Sequence, residues 1–250
     1  MSALLELRGI RKSFGGIRAL AGASFAIERP GIYGLIGPNG AGKTTLFDCV
    51  AGRQVPDDGE ILIAGRGVEG WRPERLAALG LARSFQECRV FPEWTLRDNL
   101  LFALRPRGVG AALLRSFTRR AALPAAAGDE AMRLLKLASL ERYADAPASL
   151  LSFGQRRLLE ITAALIGRPQ LLLLDEPASG INPGLIAVLA DLLRQVHRDQ
   201  GGVFLIVEHN MEFIMGLADH IVVMHEGAVL AQGPPDVVRA DPVVIDAYLG

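Results

Sequence analysis

Nine residues, GPNGAGKTT at positions 37–45, constrain the fold of this chain more than any other stretch. They follow a short apolar run, GIYGLIG, and lead into TTLFDCVAG, which has the pattern of a helix. A strand, a glycine-rich turn and a helix in that order form a loop that wraps phosphate groups. The stretch therefore predicts an α/β fold with a mainly parallel sheet and a phosphate site at the loop.

The loop matches the pattern G-x-x-x-x-G-K-[ST] through Gly37, Gly42, Lys43 and Thr44. Glycines allow backbone N–H groups to close around a β-phosphate, and a lysine neutralises β and γ oxygens. The Thr44 hydroxyl can ligate Mg²⁺. The other loop residues predicted to line the nucleotide are Pro38, Asn39, Gly40, Ala41 and Thr45. A chance glycine loop is the alternative, which the flanking strand and helix disfavour.

A second chemical feature is LLLLDEP, in which four apolar residues predict a buried strand that ends at Asp175. A carboxylate at this place can hold Mg²⁺ through water. Glu176 follows directly and is placed to polarise an attacking water, as a general base or as a residue that orients the water. The alternative, that both residues merely cap the strand, is disfavoured by the phosphate-binding loop.

Three further residues are ambiguous when each is taken alone. His209 ends an apolar strand, and a histidine there is often structural, although strand ends line the ligand crevice of a parallel sheet. Gln86 in SFQE could be an ordinary polar residue. Phe14 near the first strand could belong to the core or stack on a base.

The remaining pattern indicates how the chain is organised. ALLELRGIRKSF predicts an edge strand, and PDDGEILIAGRGV predicts antiparallel strands beside the main sheet. QLLLLDEP and GGVFLIVEHN are typical of parallel strands covered on both faces, with a crossover helix between them, and ADHIVVMHEGAVLAQG predicts a final hairpin. We expect one domain over 1–250, with a nucleotide-binding core and β sub-domain at 1–90 and 166–250, and an inserted helical sub-domain at 91–165.

Composition excludes some classes of protein. Half of the residues are hydrophobic, which allows a sizeable core. The 27 basic residues balance the 27 acidic ones, so no basic field argues for nucleic acid, and no partner of that kind is expected. Cys49 and Cys88 lack metal-ligand spacing and are expected to be reduced thiols in a cytosolic protein. No uncharged apolar run reaches the roughly 18 residues of a membrane span.

A second candidate phosphate site is LSFGQRRLLE at 151–160, where a serine and a glycine precede a helix pattern. Together with the motifs above, it makes the chain resemble the nucleotide-binding subunit of an ATP-binding cassette (ABC) transporter over essentially its whole length. The resemblance implies a P-loop NTPase (RecA-like) core. In its terms, Gly37–Thr45 is Walker A, Gln86 the Q-loop glutamine, Leu151–Gln155 the signature, Asp175 and Glu176 the end of Walker B, and His209 the switch histidine.

The resemblance also implies roles for these residues. ATP and Mg²⁺ are the expected cofactors; Glu176, His209 and Gln86 are the expected catalytic residues, and Thr44, Gln86 and Asp175 the expected metal ligands. Phe14 matches the aromatic residue that stacks on adenine. Members act as head-to-tail dimers in which the signature covers the γ-phosphate held by the other subunit, so Ser152, Gly154 and Gln155 are expected to bind a partner's nucleotide.

Two positions depart from the family pattern. The commonest signature has glycine where this chain has Phe153, which concerns the local turn, because Ser152, Gly154 and Gln155 are kept. The D-loop usually ends in aspartate, whereas ASGINP carries Asn182. This second change concerns the coupling between two nucleotide sites.

Several phrases, among them GLARSFQ, FPEWTLRDNL and the ending DPVVIDAYLG, resemble the ATPases of branched-chain amino acid importers. This resemblance implies transmembrane permease subunits, a second cassette that is identical or paralogous, and indirectly a periplasmic solute-binding protein. It also implies a position at the cytoplasmic face of the bacterial inner membrane. ATPases of urea or amide import and of lipopolysaccharide export are the related alternatives. A non-transport ABC ATPase of DNA repair or translation and a small-molecule P-loop kinase are alternatives of other classes.

Overall fold

The computed structural model describes residues 3–84, 90–104 and 126–249. They fall into two compact units, the first made of 1–83, 170–177 and 201–250 and the second of 84–169 and 178–200. The expected single domain with a helical insertion at 91–165 stays a prediction. The contacts place residues 178–200, which the sequence pattern assigns to the core, with the helical segment.

Strands and helices follow one another along the described residues. In chain order they are β1 (Leu5–Phe14), β2 (Ile17–Ile27), β3 (Gly31–Ile36), α1 (Lys43–Val50), β4 (Asp58–Ile63), β5 (Arg66–Gly67), α2 (Pro73–Ala78), β6 (Leu81–Arg83), α3 (Leu96–Ala103), α4 (Ala127–Leu137), α5 (Phe153–Leu165), β7 (Leu171–Asp175), α6 (Pro183–Gln200), β8 (Val203–Val207), α7 (Met211–Leu217), β9 (His220–His225), β10 (Ala228–Gly233), α8 (Pro235–Ala240) and α9 (Pro242–Leu249).

The first unit contains a four-stranded antiparallel sheet with the strand order β2-β1-β4-β5. The predicted antiparallel strands are therefore present, but the expectation that β1 is an edge strand is wrong. β1 pairs with β2 on one side and with β4 on the other. The alternation holds for the buried Leu5 and Leu7, and a register shift precedes the buried Ile10. Alternation shows which face of a strand is covered, but it does not show how many strands pair with it.

The second sheet of this unit has the order β10-β9-β3-β8-β7-β6. β9, β3, β8, β7 and β6 run parallel, and β10 returns antiparallel to β9 as the predicted hairpin. Every residue of β7 and β8 is buried, as expected for continuous apolar runs. The α/β fold with mixed sheets confirms the predicted fold class.

The core of the first unit joins the two sheets through α1. Phe47 and Leu46 of α1 are at most 1% exposed and belong to one apolar cluster with Leu5, Leu173 and Leu205. Burying a side chain of this size contributes about 1.5–3 kcal/mol. This packing fixes α1, and with it the loop that precedes the helix.

The second unit is helical where it is described. α3 contacts α4 and α5, and α6 contacts the same two helices. Arg133 of α4 forms ion pairs with Glu130 on its own helix and with Asp199 of α6, at 2.7 and 2.9 Å. No helix in the described ranges is long and apolar enough to span a bilayer.

Candidate functional site

Three adjacent strands of the six-stranded sheet end side by side. β3, β8 and β7 are parallel neighbours, so their carboxyl ends lie at one edge of the sheet. Gly37 follows β3, His209 comes two residues after β8, Asp175 ends β7, and Glu176 follows it. Ligands of open α/β sheets bind at such an edge.

The glycine-rich loop after β3 has a shape that requires glycine. Gly37 has a φ of 152°, and a Cβ there would lie 2.1 Å from the Met224 carbonyl oxygen. Gly42 has a φ of 95°, and a Cβ there would lie 2.4 Å from the Ala19 carbonyl oxygen. Gly42 is the N-cap of α1 and provides no side-chain cap. The first N–H groups of α1 therefore suit an anion.

Lys43, the first residue of α1, points its ammonium group back along the loop. Nζ donates hydrogen bonds to the carbonyl oxygens of Gly37 and Pro38, at 2.7 and 2.9 Å, and the residue is 6% exposed. Burial lowers the pKa of Lys43, while the Glu176 and Asp175 carboxylates oppose that shift. The loop thus holds a cation in place where phosphate oxygens would arrive.

A cavity of about 370 Å³ opens beside this loop. It is lined by Ile17, Arg18, Ala19, Asn39, Gly40, Gly42, Lys43, Thr44, Thr45, Glu176 and His209. The structure thus brings together six residues of the predicted Walker A loop, the acid after Asp175 and the predicted switch histidine, whereas Gly37, Pro38, Ala41 and Asp175 are not in this lining. Phe14 does not line this cavity. It is 43% exposed, however, and it pairs across the strands with Ile17, which does line the cavity.

Glu176 is held in a strained backbone conformation. Its φ is 46°, a left-handed value that non-glycine residues seldom adopt and that costs about 1–3 kcal/mol. Its N–H donates to the Val207 carbonyl oxygen at 2.9 Å, which ties the strained residue to β8. His209 Nε2 lies 3.2 Å from Glu176 Oε1, so the predicted base and the predicted switch residue are in direct contact.

Two residues that the sequence motifs do not include shape the turn that carries His209. Glu208 is 3% exposed, and its Oε2 accepts hydrogen bonds from the N–H groups of His209 and Asn210, at 2.9 and 3.1 Å. Asn210 caps α7 by accepting from the Phe213 N–H at 3.0 Å. An asparagine before a helix pattern is a cap signal that could have been found. The role of Glu208 depends on backbone geometry and has no comparable sequence signal.

The donors near the loop suit Mg²⁺. Asp175 is 1% exposed, and burial raises its pKa, while Arg83 opposes the shift from 3.1 Å. Within the described ranges, no group of three or more His, Cys, Asp or Glu side chains could hold a metal ion. A hydroxyl from Thr44 and a carboxylate from Asp175 are a sparse set. Mg²⁺ accepts such a set because it keeps waters and takes substrate phosphate oxygens as ligands.

The signature segment lies in the second unit, at the start of α5. Ser152 is the N-cap, and it forms a capping box with Gln155: the Gln155 N–H donates to Ser152 Oγ at 3.4 Å, and the Ser152 N–H donates to Gln155 Oε1 at 2.9 Å. A Cβ on Gly154 would lie 3.0 Å from Leu185, so glycine permits close packing against α6. Nucleotide contact by Ser152, Gly154 and Gln155 stays a prediction.

The two departures from the family pattern have local structural reasons. The Phe153 ring packs on Gly180, where an added Cβ would come within 2.9 Å of it. Gly180 has a φ of 71°. Asn182 Oδ1 accepts from the Leu185 N–H at 3.0 Å and so stabilises the first turn of α6. Phe153 therefore packs the signature segment against the D-loop segment, and Asn182 stabilises the start of α6.

Three predicted residues remain, the Q-loop glutamine and the two cysteines. Gln86 and Cys88 lie outside the described residues. Cys49 is a free, buried thiol, and burial raises its pKa to about 11, so it is protonated at neutral pH.

A larger cavity, of about 740 Å³, lies in the first unit, with Glu212, Asp236 and Arg239 as its charged lining residues. Its lining includes Ile36, Met211, Met215, Val244 and Tyr248. The glycine loop and Lys43 do not line it. The smaller cavity is therefore the candidate nucleotide site.

Known proteins are similar to this chain in sequence. Residues 20–179 match a family model described as ABC transporter, and residues 228–250 match one described as branched-chain amino acid ATP-binding cassette transporter. The chain is 37% identical over 250 residues to the high-affinity branched-chain amino acid transport ATP-binding protein BraF of Pseudomonas aeruginosa, and 38% identical over 250 residues to LivG of Escherichia coli K12. Each alignment covers 99% of this chain and 98% of the relative.

Solved structures share the fold. One is an ATP-binding cassette of an ABC transporter in its ADP conformation, with a TM-score of 0.82 and 29% identity over 100% of both chains. Another is a nucleotide-free ATP-binding cassette from an ABC transporter, with a TM-score of 0.81 and 29% identity, again over 100% of both chains.

Proposed function

Because this chain belongs to the ABC transporter family, we propose that it is the ATP-hydrolysing, energy-coupling subunit of an importer for branched-chain or other hydrophobic amino acids. The observation that carries this proposal is the full-length similarity to BraF and LivG, together with the C-terminal match at 228–250. The ATPase itself follows from the family, whose cassettes bind nucleotide. Its position under a permease, at the cytoplasmic face of the inner membrane, is part of the proposal.

The site geometry supports separate roles in phosphate binding and water activation for residues of the first unit. The glycine loop and Lys43 hold the β- and γ-phosphates, and Glu176 polarises the attacking water. His209, 3.2 Å from Glu176, orients that carboxylate and senses the γ-phosphate. Thr44 and Asp175 would hold Mg²⁺, which when bound neutralises charge on the β and γ oxygens, and Gln86, which lies outside the described residues, is the third proposed ligand.

Analysis of the reaction products tests this function. With ATP and Mg²⁺ but no added acceptor, the purified chain is expected to release ADP and inorganic phosphate in equal amounts. Consumption of ATP that occurs only after a small-molecule acceptor is added, without release of phosphate, would support a kinase and contradict the proposal.

The signature segment is proposed to complete the nucleotide site of a second cassette, identical or paralogous. Ser152 is the N-cap of α5 and Gly154 lies in its first turn, so this segment presents a hydroxyl and the N-terminal end of a helix. Bound ATP would then join two cassettes, and hydrolysis would let them separate. This alternation would move a separate permease, which receives amino acids from a solute-binding protein.

Two fused copies of the chain test the trans arrangement. In one tandem protein, the first copy carries Lys43→Ala and the second carries Ser152→Arg, which leaves one intact loop facing one intact signature. In the other, both substitutions are in the same copy, which damages both composite sites. Partial ATPase activity is expected only in the first tandem protein, because the arginine blocks close approach to a partner's γ-phosphate.

The two tandem proteins contain the same substitutions, so both lose the same N-cap at α5, worth about 1 kcal/mol. A difference in ATPase activity between the two tandem proteins therefore cannot come from a difference in stability. If the signature acted on its own copy, the order of activities would reverse, since the second tandem protein would keep one unmodified copy. That reversal would contradict the trans arrangement.

An exposed aromatic cluster of the second unit supports contact with a permease. Phe91 and Trp94 stack with centroids 4.5 Å apart, and Phe102 meets both rings edge-on. Each is 37–41% exposed. Asn99 fixes the turn by accepting from the Phe91 N–H at 2.8 Å and donating to the Phe91 carbonyl at 3.1 Å. A rigid, exposed aromatic patch is typical of protein contact surfaces.

Trp94→Glu tests this surface. The charge should weaken co-purification with the permease subunits, while ATP hydrolysis by the isolated chain stays at the wild-type rate. Arg142→Glu, which introduces an acid on another exposed residue of the same unit, is the control. Normal permease binding by Trp94→Glu would exclude the aromatic cluster from the interface.

A further inference from the structure

Arg83, the last residue of β6, bridges carboxylates from two other elements. Its Nη1 lies 2.5 Å from Asp48 Oδ1 on α1, and its Nη2 lies 3.1 Å from Asp175 Oδ2 at the end of β7. The helix that follows the phosphate loop and the strand that carries the proposed magnesium ligand are thus joined by one guanidinium group.

The Arg83–Asp175 half of this bridge is buried, whereas the Asp48 side chain is 26% exposed. The side chains of Arg83 and Asp175 are 8% and 1% exposed, and the guanidinium carbon lies 5.8 Å from the centroid of the Phe47 ring. The charges of Glu176 and Asp48 act on Asp175, so three carboxylates share this region and Arg83 offsets them. A planar fork can hold two carboxylates at fixed angles, which a lysine ammonium cannot do.

Stability alone does not account for the bridge. Taking an ion pair out of water is costly, and an apolar replacement of similar volume is often neutral or stabilising. Among the residues that the structure describes, the buried Arg83 Nε also has no hydrogen-bond partner, which is unfavourable. The arrangement fixes the orientation of the Asp175 carboxylate and leaves the Arg83 Nε–H group without an acceptor among the described residues.

We propose that Arg83 is a positioning residue that holds the Asp175 carboxylate in the orientation in which it binds Mg²⁺. The inference rests on the proposed function, because it takes Asp175 as a ligand of the nucleotide-bound metal. Without the bridge, Asp175 would turn away from Glu176 and Asp48 and present its oxygens poorly. The positive charge of Arg83 also repels a nearby divalent cation. Replacing Arg83 should therefore weaken Mg²⁺ binding if the residue positions Asp175, and strengthen it if the residue only competes with the metal ion.

The test measures binding of a fluorescent ATP analogue at increasing Mg²⁺ and in EDTA. In EDTA, Arg83→Gln should bind the analogue as the wild type does, since the glycine loop and Lys43 are intact. The Mg²⁺ concentration for half-maximal tightening should rise about tenfold, the usual cost of losing a group that orients a metal ligand. Arg83→Lys should show an intermediate rise, because it keeps the charge and loses the fork.

Arg133→Gln is the matched control. Arg133 also bridges two carboxylates, Glu130 and Asp199, but within the helical unit. Its half-maximal Mg²⁺ concentration should equal that of the wild type. If Arg83→Gln does not fold, Arg83→Lys and Asp48→Asn decide the question, and both should raise the half-maximal concentration.

An unchanged or lower half-maximal Mg²⁺ concentration in the Arg83 variants, beside a normal wild type, would overturn the inference alone. A wild-type protein that binds the analogue equally well with Mg²⁺ and with EDTA would instead contradict the magnesium assignment in the proposed function. The Mg²⁺ dependence of analogue binding by the wild type therefore shows whether the Arg83 inference or the magnesium assignment has failed.

Discussion

Replacing Glu176 by glutamine is expected to leave ATP bound and to slow its hydrolysis by about 10²–10⁴-fold, the usual contribution of a general base. Glutamine keeps the size of the side chain and a carbonyl oxygen but cannot take a proton from water. The His209 contact at 3.2 Å loses its charge and keeps its geometry. The γ-phosphate should therefore remain and hold two cassettes together.

Two assays test this result: phosphate release measures hydrolysis, and retention of radiolabelled ATP measures binding. Glu212→Gln is the control, because Glu212 also lies in the first unit on α7 and does not line the nucleotide cavity. It should hydrolyse ATP at the wild-type rate. Hydrolysis by Glu176→Gln at close to that rate would exclude Glu176 as the group that activates water.

Lys43→Ala is expected to lower both nucleotide affinity and turnover, the latter by about 10²–10³-fold, as when one preorganised donor is removed from a dry site. The ammonium already lies in the loop, bound to the Gly37 and Pro38 carbonyls, so little reorganisation precedes phosphate binding. Its removal leaves those carbonyl oxygens facing the phosphates, which adds repulsion to the lost attraction.

Titration with a fluorescent nucleotide measures the loss for Lys43→Ala. Lys136→Ala, a change at an exposed lysine of α4, should bind nucleotide normally. A thermal unfolding curve without nucleotide shows whether the loop variant is folded. A folded Lys43→Ala protein with wild-type affinity would place the phosphates elsewhere.

The sequence predicts the phosphate loop, Asp175, Glu176 and His209 because each stands at the end of an apolar run, where parallel strands expose their next residues. The pattern does not give the order in which the strands pair, so the adjacency of these particular ends is seen only in the sheet. Residues whose roles come from tertiary contact are not predictable in this way. Arg83 in GLARSFQ gives no local sign that it reaches Asp48 and Asp175.

Other differences have equally specific causes. The pattern of β1 predicts an edge strand because its alternation is the same with one neighbour or two. Residues 178–200 are predicted to belong to the core because they connect two core strands, whereas α6 packs on α4 and α5. The positive φ of Glu176 depends on the turn between β7 and the following segment, and glutamate gives no sequence signal for it.

Amino acid uptake by cells tests the central claim most directly. Cells that lack the gene for this chain should take up radiolabelled leucine much more slowly than parental cells. The wild-type gene should restore the rate, and a gene with Glu176→Gln, expressed at the same level, should not. Uptake at the parental rate without the gene, or full restoration by Glu176→Gln, would contradict an ATP-hydrolysing subunit of a branched-chain amino acid importer.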